Sequence, residues 1–352
     1  VIPATGMRTY TAQGGRLPYF DNVKLVLMAC VVVGHLLKCG GALNYRFARA
    51  LFVFIYAFHM PAFVFVSGLF VRRRGMVRRK VLGHSAYLFL LGMLAKALRA
   101  VFPWLLGYGF EFDLLSENGL PWFMFALATY YVLAWLLRDA DGMVVGLMGL
   151  AVSLVVGYIP AVGDFLSLSR IIVFFPFFWL GHLMEPRQVR RAYTYPGTRK
   201  ACALALGLWL VCCMAFTRRL FPYRHLFFGK TCYANARIMG CSFLDRLAAY
   251  GMSFASMVAL LGVVPERRIP LVSEAGMRTI QVYLLHLEVI DILQLLGIPY
   301  ALVHLGRWGW LLLVVLGVVL TRLLAWPDLA AIIFGGASED VAHKDLRDSQ
   351  VA

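Results

Sequence analysis

Long apolar segments recur along almost the whole chain, and a shorter polar or charged stretch separates each from the next. Hydrophobic residues make up 61% of the chain and charged residues 15%, which is more apolar surface than a soluble core can hide. An α-helix needs roughly 20 apolar residues to cross a bilayer, so the sequence predicts an all-α, polytopic transmembrane helical bundle with about ten transmembrane helices. The predicted spans are residues 23–38, 50–70, 81–102, 121–137, 143–159, 168–184, 201–216, 243–264, 277–296 and 308–326.

One transmembrane domain is predicted at residues 19–327, between two terminal segments. If the N-terminus is cytoplasmic, the loops on that side hold 14 Lys and Arg residues and the opposite loops hold 8. Because cytoplasmic loops carry the excess of Lys and Arg, we expect a plasma-membrane protein with both termini in the cytoplasm. Residues 1–18 are then a cytoplasmic segment, and residues 328–352 are a charged cytoplasmic tail that is predicted to be disordered.

The net charge of +16 raises the question of which partner the basic residues bind. The basic residues cluster between apolar segments, at residues 72–80 and 187–200, where they face the headgroups of membrane lipids. This placement argues against a nucleic-acid partner. Cys and His residues show no metal-ligand spacing, so no metal is expected.

The first predicted helix carries polar residues that are costly inside a membrane: Asp21, Asn22 and Lys24 at its start, and His35 deep within it. Lys24 and His35 are eleven residues apart, which places them within ~20° on one helix face and ~16 Å apart along the axis. That arrangement suits a tunnel with a cation at its mouth for an anionic cofactor and a histidine as general base. The alternative is that Lys24 reaches the headgroups and His35 makes one interhelical hydrogen bond.

The second predicted helix ends near Ser67 and is followed by Arg72, Arg73 and Arg74. Three successive guanidinium groups at a cytoplasmic helix end are suited to holding phosphates, which arginine binds with two parallel hydrogen bonds. The alternative is an anchor of the kind that concentrates positive charge on the cytoplasmic side.

Three further polar or aromatic residues stand in or beside later helices. Arg170 opens an aromatic helix, with Trp122 expected on the same side, and it either contacts a polar substrate or reaches the headgroups. His286 shares its helix with Glu288 and Asp291, and this group forms either a proton relay or interhelical polar contacts.

Short motifs in a fixed order connect these residues. They are YFDNVK at residues 19–24, VVVGH at 31–35, FHMPAF at 58–63, SG at 67–68, LPWF at 120–123, FPFF at 175–178 with Gly181, and YLLH at 283–286. In this order and spacing the chain resembles acyltransferase family 3, the multi-spanning membrane O-acyltransferases, over roughly residues 19–326. The fucose 4-O-acetylase-like branch is the part of the family that it most resembles.

The resemblance implies an activity and assigns roles to residues. Family members usually move an acetyl group from cytoplasmic acetyl-CoA to a carbohydrate hydroxyl on a cell-surface or lipid-linked glycan. His35 matches the catalytic histidine, and Lys24 matches its basic partner, which is Arg in many members; Asp21 belongs to the same motif. Ser67 and the run from Arg72 to Arg74 match the region that handles the donor. The motif positions Asn22, His59, Trp122 and His286, together with Arg170, are then expected to contact substrate.

Two functions follow from the sequence. The first is an O-acyltransferase in which His35 either deprotonates the acceptor hydroxyl or carries the acyl group itself. The alternative is a transporter or flippase for a small polar or lipid-linked substrate, because such proteins also place His and Arg inside a helical bundle. The pairing of Lys24 with His35, joined to the Arg run, favours the enzyme, since binding of CoA requires cations and transport does not.

Overall fold

The structure is a computed structural model that describes residues 17–71, 75–107, 109–110, 112–113, 115, 121–163, 165–195 and 197–326. The fold is all-α, as predicted from the apolar segments. The fifteen α-helices of the described residues are α1 (Pro18–Leu36), α2 (Arg46–Leu69), α3 (Arg78–Leu105), α4 (Trp122–Leu136), α5 (Gly142–Val155), α6 (Leu168–Leu183), α7 (Pro186–Ala192), α8 (Thr198–Ala215), α9 (Thr217–Leu220), α10 (Arg224–Phe227), α11 (Phe243–Val263), α12 (Pro270–Met277), α13 (Thr279–Leu295), α14 (Ile298–His304) and α15 (Trp310–Leu324).

Several helices are long and apolar enough to cross a membrane. Within the described ranges these are five single helices, α1, α2, α3, α8 and α11, or seven spans if two bent pairs are each counted as one. The pairs are α6 with α7, bent by 89°, and α13 with α14, bent by 68°. The helix α4, the segment Gly142–Tyr158 and the helix α15 are apolar but shorter. The chain is therefore a polytopic helical membrane protein, whereas the count of about ten spans is not confirmed.

Helix α1 lies at the centre of the bundle, where it packs against α2, α12, α13 and α15. Helix α2 packs against α6, α8 and α11, and α3 packs against α4. Most of α1 and α2 is buried, whereas α8 presents an almost wholly exposed apolar surface. The polar side chains of α1 and α2 therefore lie largely inside the protein, whereas α8 lies at the outside of the bundle.

Small residues set the closest helix crossings. A Cβ atom at Gly68 of α2 would collide with the carbonyl oxygen of Phe178 of α6, and one at Gly181 of α6 would collide with the carbonyl oxygen of Phe65 of α2. The two glycines therefore allow the backbones of α2 and α6 to touch, as small residues do in membrane bundles. In the same way, Gly276 brings α12 onto the backbone of α1 at Asp21.

An ion pair joins α3 to α13. The guanidinium of Arg99 binds the carboxylate of Asp291, and its Nη1 atom lies 3.9 Å from Oε1 of Glu288. These contacts correspond to the interhelical alternative that the sequence left open for Glu288 and Asp291. The two carboxylates therefore help to fix the position of α13, the helix that carries His286.

Candidate active site

A cavity of about 260 Å³ runs beside α1. Its lining includes four residues of one α1 face, Lys24, Met28, Val31 and His35, followed by Lys38 in the turn after the helix. Steps of three and four residues keep side chains on one face of a helix. The shared face predicted for Lys24 and His35 is therefore present, and at 1.5 Å per residue they stand ~16 Å apart along the cavity.

Other residues predicted from the sequence also line this cavity. They are His59 and Ser67 of α2, Trp122 of α4 and Arg170 of α6. Arg72, Arg73 and Arg74 lie outside the described residues. The structure thus brings together six predicted site residues from four helices, and their individual roles stay predictions.

The beginning of α1 forms one end of the cavity. Lys24 is buried there, and its Nζ atom lies 2.9 Å from Oδ1 of Asp21, which is also buried. Within the part of the chain that the structure describes, Lys24 belongs to the lining and Asp21 does not. Asp21 is therefore connected to the cavity through its ion pair with Lys24, which helps to hold the ammonium group in place.

Asn22 makes contacts of a different kind. Its Nδ2 atom donates to the carbonyl oxygens of Pro265 at 2.8 Å and Arg267 at 3.0 Å, and its Oδ1 atom accepts from the hydroxyl of Ser273 at 2.6 Å. These bonds tie the start of α1 to the connection between α11 and α12. These bonds give Asn22 a structural role outside the described lining of the cavity, and its contact with substrate stays a prediction.

Ser67 lies on the same side of the bundle, near the end of α2. Its hydroxyl donates to the carbonyl oxygen of Phe63 at 2.7 Å, one turn earlier, while the residue still lines the cavity. The adjacent Gly68 touches the backbone of α6. The Ser67–Gly68 pair thus combines a close helix crossing with a polar group at the wall of the cavity.

Histidines occupy the middle of the cavity. The ring of His35 packs against the ring of His286 from α13, with the ring centroids 5.3 Å apart. His286 is fully buried and lies behind His35 rather than in the described lining. The Nδ1 atom of His59 lies 2.9 Å from the carbonyl oxygen of Ile55, and its ring packs at 4.6 Å against Tyr56. His35 therefore faces the cavity and is backed by a second imidazole.

Cations and aromatic rings form the end of the cavity opposite Lys24. The ammonium of Lys38 lies 5.3 Å from the ring centroid of Tyr56 and 5.2 Å from that of Phe228. The guanidinium of Arg170 lies 5.2 Å from the ring of Trp122. Such placements attract a cation through the negative face of the ring. This end therefore presents positive charge and flat apolar faces to the same space.

The electrostatic surroundings of Lys38 alter its ionisation. Its side chain is exposed to the cavity, where the neighbouring protein removes part of its hydration and so disfavours the charged form. This loss of hydration, followed by repulsion from Arg170 and Lys230, lowers the pKa of Lys38 from 10.5 to about 8. Lys38 can therefore change its charge within a pH range in which an enzyme is normally assayed.

Several residues of the lining were not predicted from the sequence. They are Lys38, Tyr56, His84, Phe228, Lys230 and Tyr283. Lys38 had a local signal, because it follows His35 by three residues and so continues the same face. Tyr56 likewise precedes His59 by three. Lys230 and Phe228 lie in a long connection whose position no local periodicity predicts.

The geometry is that of a polytopic membrane protein whose helical bundle encloses a cavity lined by apolar, cationic and histidine side chains. Comparison with protein families then supplies the particular family. The acyltransferase domain of the acyltransferase-3 family matches residues 17–327, and the chain belongs to this family. It is therefore an enzyme, an acyltransferase that transfers groups other than aminoacyl groups.

A curated relative supports the same assignment. The chain is 26% identical over 344 residues to the nodulation protein NolL of Sinorhizobium fredii (strain NBRC 101917 / NGR234), and the match covers 91% of this chain and 86% of NolL. No solved structure is significantly similar to the chain. The family assignment favours the enzyme over the transporter, and the helical fold is consistent with both.

Proposed function

We propose that the protein transfers an acetyl group from cytoplasmic acetyl-CoA to a hydroxyl of a carbohydrate on a cell-surface or lipid-linked glycan. The observation that carries this proposal is the position of His35. It faces a single cavity between a cationic end at Lys24 and a second end, where Lys38 and Arg170 lie beside aromatic rings. Two substrates that enter from opposite ends would meet at this histidine.

The Lys24 end suits the donor. CoA carries phosphates, and a cation near the cavity mouth attracts them. Lys24 and Ser67 line this end, and Arg72, Arg73 and Arg74 follow α2 in the sequence. With the N-terminus in the cytoplasm, as the loop charges favour, this end opens toward the compartment that contains acetyl-CoA. In this proposal the arginines hold the phosphates and the thioester extends along α1 toward His35.

The opposite end suits a sugar. Aromatic side chains of the lining, Trp122 among them, offer apolar contacts to a sugar ring, and the cationic groups of Lys38 and Arg170 can donate hydrogen bonds to its hydroxyl oxygens. The cavity combines both kinds of group within reach of His35. In this proposal the carbohydrate therefore binds at this end of the cavity.

The chemical step requires one proton carrier. His35 takes the proton of the acceptor hydroxyl as its oxygen attacks the carbonyl carbon of the thioester. The carbon–sulfur bond then breaks, the acetyl group stays on the sugar oxygen, and the proton passes from His35 to the departing thiolate. In this proposal transfer is direct, and the enzyme carries no acetyl group between steps.

The test compares wild type with His35→Ala in purified membranes that receive radiolabelled acetyl-CoA and a panel of glycans. We expect label on a glycan with the wild type and a loss of roughly 10²–10⁴-fold in the variant, since a general base contributes that much. His304→Ala is the matched control, because His304 is an exposed histidine of α14 outside the described cavity lining, and it should label normally.

Two results would overturn the proposal. Equal labelling by wild type and His35→Ala would remove His35 from the chemistry. Failure of purified wild type to bind acetyl-CoA would show that the donor is wrong, whichever acceptor is offered. Label that remains on the protein when the acceptor is omitted would replace direct transfer with an acetyl-enzyme route.

A further inference from the structure

The hydrogen bonds of His286 determine which of its nitrogens carries the proton. Its Nδ1 atom lies 3.0 Å from the carbonyl oxygen of Val282 and 2.9 Å from that of Tyr283. A carbonyl oxygen can only accept, so Nδ1 must be the donor. In a neutral imidazole the other nitrogen, Nε2, then holds a lone pair. The backbone of α13 thus fixes His286 as a hydrogen-bond acceptor at Nε2.

This acceptor is left unsatisfied. His286 is 0% exposed, and its Nε2 atom has no hydrogen-bond partner in the described part of the chain. A buried polar atom without a partner costs about 1–3 kcal/mol. The two nitrogens lie on opposite sides of the ring, so Nε2 faces away from the backbone that holds Nδ1. An orphaned acceptor deep in a membrane bundle requires a donor from a neighbouring element.

His35 is placed to supply that donor. Its ring centroid lies 5.3 Å from that of His286, and among the described residues no other aromatic ring packs against it. Besides His286, the charged and titratable groups that act electrostatically on His35 include Lys38, His59 and Arg99. Lys38 and Arg99 can only donate hydrogen bonds, and the ring of His59 packs against Tyr56.

We propose that His286 is a positioning residue for His35, whose ring N–H donates a hydrogen bond to Nε2 of His286 during turnover. This contact leaves the second ring nitrogen of His35 unprotonated and directed at the cavity, where the acceptor hydroxyl binds. When His35 takes the proton of that hydroxyl, both of its nitrogens carry hydrogen, and His286 stabilises the positive ring by accepting one of them. The inference rests on the proposed role of His35 as base.

The same logic orients bases in enzymes of other folds, where a third group holds the histidine in one tautomer. That group is usually a carboxylate, which carries a formal charge that is costly to bury inside a membrane bundle. A neutral imidazole with its Nδ1–H bound to its own helix provides an acceptor without a net charge. A neutral acceptor beside His35 is therefore better suited to the apolar interior of a membrane bundle than a carboxylate would be.

The experiment compares His286→Met, which removes the acceptor at similar volume, with His286→Gln, whose side-chain carbonyl supplies an acceptor. Acetyl transfer, acetyl-CoA binding and melting temperature are measured at matched amounts of folded protein. We expect His286→Met to lower kcat by roughly 10²-fold, with the affinity for acetyl-CoA changed less than about twofold. The kcat of His286→Gln should be at least about tenfold higher than that of His286→Met, because only the acceptor atom is required.

The control is His182→Met. His182 of α6 is also buried, and its Nδ1 atom also lies beside a backbone carbonyl, that of Val71 at 3.1 Å, but it is not in the described lining of the cavity. Its variant should keep the wild-type kcat. This comparison separates the loss of an acceptor beside His35 from the loss of any buried histidine.

Wild-type kcat in His286→Met would overturn the positioning role, and so would equal losses in the Met and Gln variants that follow their melting temperatures. His35→Ala, assayed in parallel, distinguishes this failure from failure of the proposed function. Activity that survives in His35→Ala contradicts the role of His35 itself. An inactive His35→Ala beside a fully active His286→Met contradicts only the inference about His286.

Discussion

The two ends of the cavity each present a lysine, and the protein holds the two lysines in different ways. At the start of α1, Lys24 is buried and lies 2.9 Å from the carboxylate of Asp21. Beyond the end of α1, Lys38 opens onto the cavity and lies 5.2–5.9 Å from the centroids of three aromatic rings. A carboxylate gives its partner a counter-ion, whereas an aromatic face attracts a cation without adding an opposite formal charge.

The two lysines are held differently because Lys24 is buried and Lys38 is exposed to the cavity. A buried ion whose partner is lost is strongly destabilising, so the chain supplies Lys24 with a counter-ion three residues away on the same helix. Lys38 keeps contact with the cavity and needs no counter-ion for the protein to fold. We therefore expect Lys24 to have both a structural role and a role in binding the donor, whereas Lys38 is expected only to bind substrate.

The largest expected effect comes from separating the two roles of Lys24. Lys24→Met leaves the buried carboxylate of Asp21 without this cation, which should cost about 3 kcal/mol of stability or more and abolish measurable acetyl-CoA binding. The double variant Asp21→Asn/Lys24→Met removes both charges, so it should regain most of the stability but not the binding. Thermal unfolding in detergent and equilibrium binding of acetyl-CoA measure the two quantities separately.

Lys80→Met serves as the control for this pair, because Lys80 is an exposed lysine at the start of α3 and is not in the described lining of the cavity. It should change neither quantity. Recovery of acetyl-CoA binding in the double variant would show that Lys24 has no role beyond its ion pair. The proposed role of the Lys24 end in binding the donor would then be wrong.

The second prediction concerns the opposite end. Lys38→Met removes a charged hydrogen-bond donor from the proposed acceptor site, and such a bond is worth ~1.5 kcal/mol or more, so KM for the glycan should rise roughly tenfold. Acetyl-CoA affinity and melting temperature should stay at wild-type values, because the side chain is open to the cavity. Steady-state kinetics with each substrate varied in turn provides the measurement. A rise in KM for acetyl-CoA, with KM for the glycan unchanged, would reverse the proposed assignment of the two ends.

The same contrast shows what the sequence could predict. The helical class and the shared face of Lys24 and His35 depend only on apolar length and on a period of 3.6 residues, and both are local properties of the chain. Lys38 has the same local signal, but the predicted span ends at this residue, whereas α1 ends at Leu36 and Lys38 lies in the turn that follows. The face of α1 was therefore predictable, and its extension into the turn was missed.

Contacts between distant segments could not be predicted in this way. His35 and His286 belong to helices at opposite ends of the chain, and their ring contact depends on how α1 packs against α13. Asn22 matched a motif, but its bonds to the connection between α11 and α12 appear only when α12 is folded onto α1. A motif thus identified important positions without distinguishing a structural amide from a group that lines the cavity.

The smallest expected effect is a pH dependence at the Lys38 end. With its pKa lowered to about 8, Lys38 is charged below that value and loses its charge as the pH rises through it. Arg170, Lys230 and Cys39 act electrostatically on Lys38, and Lys38 acts in turn on His35 and His59. Burial raises the pKa of Cys39 to about 11, so its thiol stays neutral over this range. Between pH 7 and 8.5 the charged fraction of Lys38 falls roughly fourfold, and kcat/KM for the glycan should fall with it.

Lys38→Arg isolates this effect, because arginine stays charged across the whole range. In that variant the alkaline loss should disappear, while Lys80→Arg should keep the wild-type profile. An unchanged alkaline limb in Lys38→Arg would assign the loss to another group. Because this loss of charge belongs to Lys38, beside the proposed acceptor site, the sensitivity should appear in the acceptor kinetics and be absent from acetyl-CoA binding.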